Sequence, residues 1–164
     1  MQLTLTAADK KQLMTSLSTV VLEKTDDSEV ALRTLKNYAA RDGSRGAMAD
    51  IVPMMETMIV NPKPGLEDLV FSLAANLALE PKFCEPLTTQ PILKAAVTFC
   101  EHATSTAGVD FLINILRFSE SRHALVALGI IPVLQSVMPR EPRSWILLFT
   151  LTWEPWSHLR AETA

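Results

Sequence analysis

A thiol, a carboxylate and an imidazole stand side by side at Cys100-Glu101-His102, the residue types that nucleophilic catalysis or metal ligation would use. Neighbours in sequence point in different directions on a helix, so these three do not converge on one atom. The other imidazoles, His123 and His158, have no thiol or carboxylate at a spacing that would pair them, and Cys84 and Cys100 lack metal-type spacing. No glycine-rich loop cradles a phosphate. The sequence therefore predicts no catalytic centre, no metal and no cofactor. What recurs instead is a primary amide: Asn37, Asn76 and Asn114 stand 39 and 38 residues apart, near the ends of apolar segments.

A second series runs in phase with the first. Pro53, Pro91 and Pro132 are spaced 38 and 41 residues, and both Pro53 to Asn76 and Pro91 to Asn114 span 23. Proline in a first helical turn costs no hydrogen bond, because the N–H groups there have no intrahelical acceptor. Two interleaved series predict a solenoid, whose units stack because none can bury its apolar face alone. The elements that must position the asparagines follow from local signals. Thr6-Ala7-Ala8-Asp9 has the form of a capping box and predicts a helix with Leu13, Leu17, Val20 and Val21 on one face. The polar break Thr25 to Ser28 starts a second helix carrying Val30, Leu32, Leu35 and Tyr38. That helix is expected to dissolve at Asp42-Gly43-Ser44-Arg45-Gly46, a flexible stretch. Asp50 to Ile59, with Met54, Met55 and Met58, forms a proline-started helix. A longer one begins at Leu66 and runs until Pro81; a proline-started helix at Pro91 and a long helix over Asn114 repeat the pair, and Pro132 starts it again. The methionines, Met48 included, are read as core.

Composition agrees with an all-α chain. Of 164 residues 48% are apolar and 20% charged, with five glycines and few aromatics, which disfavours disorder and a sandwich of short strands. A net charge of −3 argues against a general nucleic-acid surface. The two cysteines sit in apolar helical contexts and are expected to be buried, reduced thiols, which suits a cytoplasmic setting, with a nuclear or cytoskeleton-associated one as the alternative. No secretory signal opens the sequence, and the most apolar run, Ala124 to Val137, is broken by Gly129 and Pro132. A soluble chain with no membrane insertion is expected.

The repeats resemble the armadillo family. Gly129-Ile130-Ile131-Pro132-Val133-Leu134 is similar to the family's Gly-x-Ile-Pro-x-Leu opening of the second helix, and Asp50-Ile51-Val52-Pro53-Met54-Met55 matches it with Asp for Gly. Thr34-Leu35-Lys36-Asn37-Tyr38-Ala39 and Leu73-Ala74-Ala75-Asn76-Leu77-Ala78 resemble its Ala-Leu-x-Asn-Leu-Ala third-helix ending, and Phe111 to Leu116 does so more loosely. In the last unit Thr150 takes the asparagine's place. The resemblance implies a right-handed α-solenoid of about four repeats, near 7–42, 47–80, 82–118 and 119–153, with a tail at 154–164. It also implies a concave groove where Asn37, Asn76 and Asn114 clamp the main chain of a partner protein segment, since an amide offers both donor and acceptor. Amides facing a groove should matter little to stability. The simpler reading is that each bonds neighbouring loop backbone. Family members that carry nuclear import signals place Trp four residues before the asparagine, where this chain has Arg33, Ser72 and Asp110. A mixed groove is expected instead, with Arg33, Arg41 and Arg117 opposed by Glu80 and Asp110.

The end of the chain carries a different signal. Trp145, Phe149, Trp153 and Trp156 make the last unit apolar all round, although a terminal repeat needs a polar outer face; the simpler reading is that Trp145 and Trp153 are core residues capped by the tail. The sequence thus supports a non-enzymatic adaptor that holds a partner segment. The alternative is a structural or cytoskeletal subunit that assembles through its apolar ends, as in a homodimer through the C-terminal end.

Overall fold

The computed structural model describes residues 6–41, 43–102, 105–116 and 119–137, together with 145, 146, 148 and 151. Helix α1 (Ala7–Leu22) starts where the capping box predicts: the Asp9 N–H donates to Thr6 Oγ1 at 3.2 Å and the Thr6 N–H to Asp9 Oδ2 at 3.0 Å. The Thr6 hydroxyl, donating to Asp9 Oδ2 at 2.6 Å, and then the Thr6 N–H hold the Asp9 carboxyl below its usual pKa. The buried stripe of α1 is Met14, Ser18 and Val21, with Leu17 and Val20 half-buried against the core as expected, while Leu13 is 42% exposed. Ser18 is tolerated inside because its hydroxyl donates to Met14 O at 2.9 Å. Helix α2 (Ser28–Ala39) buries Ala31, Leu32 and Leu35 but leaves Val30 67% exposed.

The segment expected to be loose is structured. Arg45–Met48 forms a 3₁₀ turn with Arg45 buried. A second 3₁₀ turn, Val52–Met54, holds Pro53 and leads into α3 (Met55–Val60). Helix α4 (Glu67–Leu77) follows, then α5 (Pro81–Cys84), which continues as the 3₁₀ turn Glu85–Thr88. Helix α6 (Gln90–His102) has Pro91 in its first turn, and α7 (Ala107–Ile115), α8 (Ser119–Ala127) and α9 (Ile130–Val137) complete the described helices. Gly129 joins α8 to α9 at φ +80, a left-handed conformation that a side chain would strain. All regular elements among the described residues are helical.

Two rows of helices emerge from the packing. Helices α2, α4 and α7 are successive neighbours, as are α3, α6 and α9, and α1 packs on α2 and α3. Lys63 Nζ donates to Thr25 O at 2.7 Å just before α4 and α2 begin, and Asn76 bonds Lys36 near their ends, so the two helices run the same way. Phe71 meets Phe111 at 6.0 Å between ring centroids and Asn114 bonds Ala75, so α4 and α7 also share a direction. Between the rows lies one continuous core, including Met48, Met55 and Met58, each fully buried.

Both cysteines are free and buried in that core. Burial pushes the Cys100 thiol up to about 12. Since the thiolate is the nucleophile, modification of Cys100 in native protein at pH 8 should be slower than in urea by about a thousandfold. Thiol-reagent kinetics followed by peptide mapping would check this; equal rates would show that Cys100 is accessible.

A candidate peptide groove along the asparagine helices

The residues that end the first row form a repeating hydrogen-bond pattern. Asn76 Nδ2 donates to Lys36 O at 3.1 Å, and Asn114 Nδ2 donates to Ala75 O at 2.8 Å. The acceptor in each case is the carbonyl of the residue just before the preceding helix's asparagine. Each amide therefore staples its own helix to the one before, using one of its two N–H bonds. The second N–H and the Oδ1 of both side chains remain without a partner among the described residues. Asn76 and Asn114 are half-buried, whereas Asn37, which has no earlier helix in the row to reach, is exposed and its side chain bonds nothing described. The expectation that these amides matter little to stability is thus corrected for Asn76 and Asn114, which hold the row together.

A groove of about 510 Å³ runs along this row, and Ser72, Asn76, Asp110 and Asn114 all line it. Lys36, Asp68 and Thr106 line it too, three polar residues that the sequence did not single out. Thr106 Oγ1 donates to Asp110 Oδ2 at 3.0 Å, which fixes one carboxylate oxygen on the α7 wall. Arg33 is drawn away from such a role: its Nε and Nη2 donate to Glu29 Oε1 at 2.9 and 2.8 Å along α2. That pair is an exposed i,i+4 bridge of small energetic weight. Arg41 is exposed just past α2 and does not line the groove, and Arg117 lies outside the described residues. The mixed character expected for the groove therefore comes from Lys36, Asp68 and Asp110 rather than from a set of arginines.

A third series supports the row from behind. Arg45 Nε donates to Ala39 O at 2.9 Å, Cys84 Sγ to Ala78 O at 3.1 Å, and Arg122 Nε to Leu116 O at 3.2 Å. Each donor lies six residues past its acceptor and eight past the asparagine, so it satisfies a carbonyl that the helix end leaves open. The signal was present in the sequence as positions 45, 84 and 122, spaced 39 and 38. A thiol where the flanking repeats have guanidinium groups hid it.

Of the C-terminal aromatic residues, Trp145 is 60% exposed beside Ile146 at 57%, while Leu148 and Leu151 pack against the core. Phe149, Trp153 and Trp156 lie outside the described residues. Among the described residues no group of three or more His, Cys, Asp or Glu could hold a metal ion, and no helix is long and apolar enough to cross a membrane. No family model, curated protein or solved structure compared with the chain matches it.

Proposed function

We propose that the chain is an armadillo-like α-solenoid of about four units whose task is to hold an extended segment of a partner protein along α2, α4 and α7. The observation that carries this reading is the state of Asn76 and Asn114. Each is anchored by one N–H to the neighbouring helix and keeps a donor and an acceptor beside a polar groove. A peptide unit needs one acceptor and one donor, and amides held in place lose little freedom when they bond it. The recurrence of the staple and of the backbone caps at one repeat length supports the solenoid arrangement.

A peptide selected from a displayed random library for binding to the intact chain provides the test. Replacing Asn76 and Asn114 together by Ala should weaken that peptide by about 1–3 kcal/mol. The same change should lower unfolding stability by about 1 kcal/mol per site through loss of the staples. Calorimetry and urea denaturation would measure both. Unchanged affinity in a folded double variant would remove the asparagines from the site.

A second reading, assembly through the C-terminal end, is favoured by the exposure of Trp145 and Ile146 on adjacent positions. Apolar area left in water costs about 25 cal/mol per Å², which association would recover. Sedimentation should then show a self-associating chain that Trp145→Glu converts to monomer. A monomer at every concentration would remove this reading.

A further inference from the structure

A second concavity, larger than the asparagine groove, is an open apolar trough of about 860 Å³ where α6 runs past the end of α3 and the start of α4. None of its lining residues belongs to the asparagine groove. Val60, Ala95 and Phe99 supply its accessible apolar surface, and the half-buried Phe99 ring lies on the buried Phe71 ring at 4.3 Å between centroids. Val60 is 50% exposed there, a β-branched side chain that the fold itself leaves uncovered. The α6 wall presents Pro91, Lys94, Ala95, Thr98, Phe99 and His102, one continuous helical face about three turns and about 16 Å long.

We propose that this trough docks an amphipathic helix of a partner protein, its apolar face on Val60, Ala95 and Phe99 and its polar flank toward α6 acidic. The shape fits because a helix lays side chains at i, i+3, i+4 and i+7 into an elongated groove. The trough is open along its length, which suits a helix face more than an enclosed small molecule. Charge selects the flank. Lys94 is exposed on the α6 wall and has no ion-pair partner among the described residues. Its wall also carries His102, eight residues on and about 12 Å away, whose Nε2 lies 3.9 Å from Glu101 Oε2. Glu67 stands on the facing wall, also without an ion-pair partner among the described residues. An occupant with acids toward α6 meets Lys94 favourably, whereas one with lysines there meets like charge. The interaction is independent of the asparagine groove, so either site can fail without the other.

Two fluorescein-labelled helical peptides test the proposal against the full chain. Both carry leucines on one face; one has two glutamates on a single flank, seven residues apart, and the other has lysines in their place. Anisotropy titration should show the acidic peptide binding about tenfold tighter, a difference of about 1.4 kcal/mol. Lys94→Glu should reverse that preference, an outcome that misfolding would not produce. Val60→Glu should weaken both peptides by about tenfold or more, while leaving a peptide selected for the asparagine groove unaffected. Equal binding of the two peptides, or no response to Val60→Glu, overturns the proposal. So does acidic-peptide binding that appears only after residues 152–164 are removed, since the chain would then be covering its own trough. Loss of binding through self-association of the chain would likewise assign the trough to a second copy and overturn it.

Discussion

Phe111→Ala is expected to lower unfolding stability by about 3–5 kcal/mol, enough to leave a marginal chain largely unfolded at 37 °C. Phe111 is fully buried in α7, and its ring meets Phe71, which in turn stacks on Phe99 of α6. One side chain therefore ties α7 to α4 and, through Phe71, to the second row of helices. Truncation removes its apolar area and leaves a void between elements that are fixed by their neighbours, so the cavity closes poorly. The same change should also weaken binding in both grooves, since each has a wall that leans on this aromatic cluster. Urea denaturation would measure the first effect; a loss under 1 kcal/mol would mean that the three helices are less tightly joined than their contacts indicate.

Gly108→Val should cost about 3 kcal/mol for the opposite reason. A Cβ at Gly108 would sit 2.7 Å from Phe99 Cδ1 and 2.8 Å from Cys100 Sγ, distances at which something must shift. Those neighbours belong to α6 and are packed, so the strain is carried into the Phe71–Phe99 stack. Glycine is ordinarily the weaker helix former, so a small gain in propensity, about 0.3–0.5 kcal/mol, would be expected from valine at an uncrowded position. The sign of the measured change thus distinguishes crowding from propensity. Cys100→Ala in the same chain should relieve part of the penalty, and a double-mutant cycle would show the coupling. A stabilising Gly108→Val would contradict the packing of α6 against α7.

The repeat length, the helical class and the positions of the asparagines were legible because they rest on markers that tolerate few substitutes. Within a helix proline is well tolerated only in the first turn; Pro91 and Pro132 sit there, and Pro53 stands in a 3₁₀ turn that leads into α3. Features that depend on which atoms meet were not legible. On α1, Leu17, Val20 and Val21 were placed correctly, but Ser18 was missed because it reads as polar, although its hydroxyl is satisfied within its own helix. The stretch around Arg45 read as loose because its glycines outweighed a single arginine whose Nε reaches the end of α2. The asparagines were visible as residue types, but their staples join positions 40 and 39 residues apart and only the packed rows reveal them. The apolar trough draws on three separate segments with no common period, so no pattern along the chain announces it.

The central claim is that Asn76 and Asn114 present amides to the main chain of a bound segment. Backbone N-methylation of a peptide selected for this groove tests it most directly, because it removes a single donor and leaves the side chains unchanged. Scanned position by position, methylation should weaken binding by about 1–3 kcal/mol at two sites. The double Asn76→Ala, Asn114→Ala variant should bind every methylated and unmethylated version alike. A scan in which no position matters, or one in which the same positions matter equally to the double variant, would contradict the account.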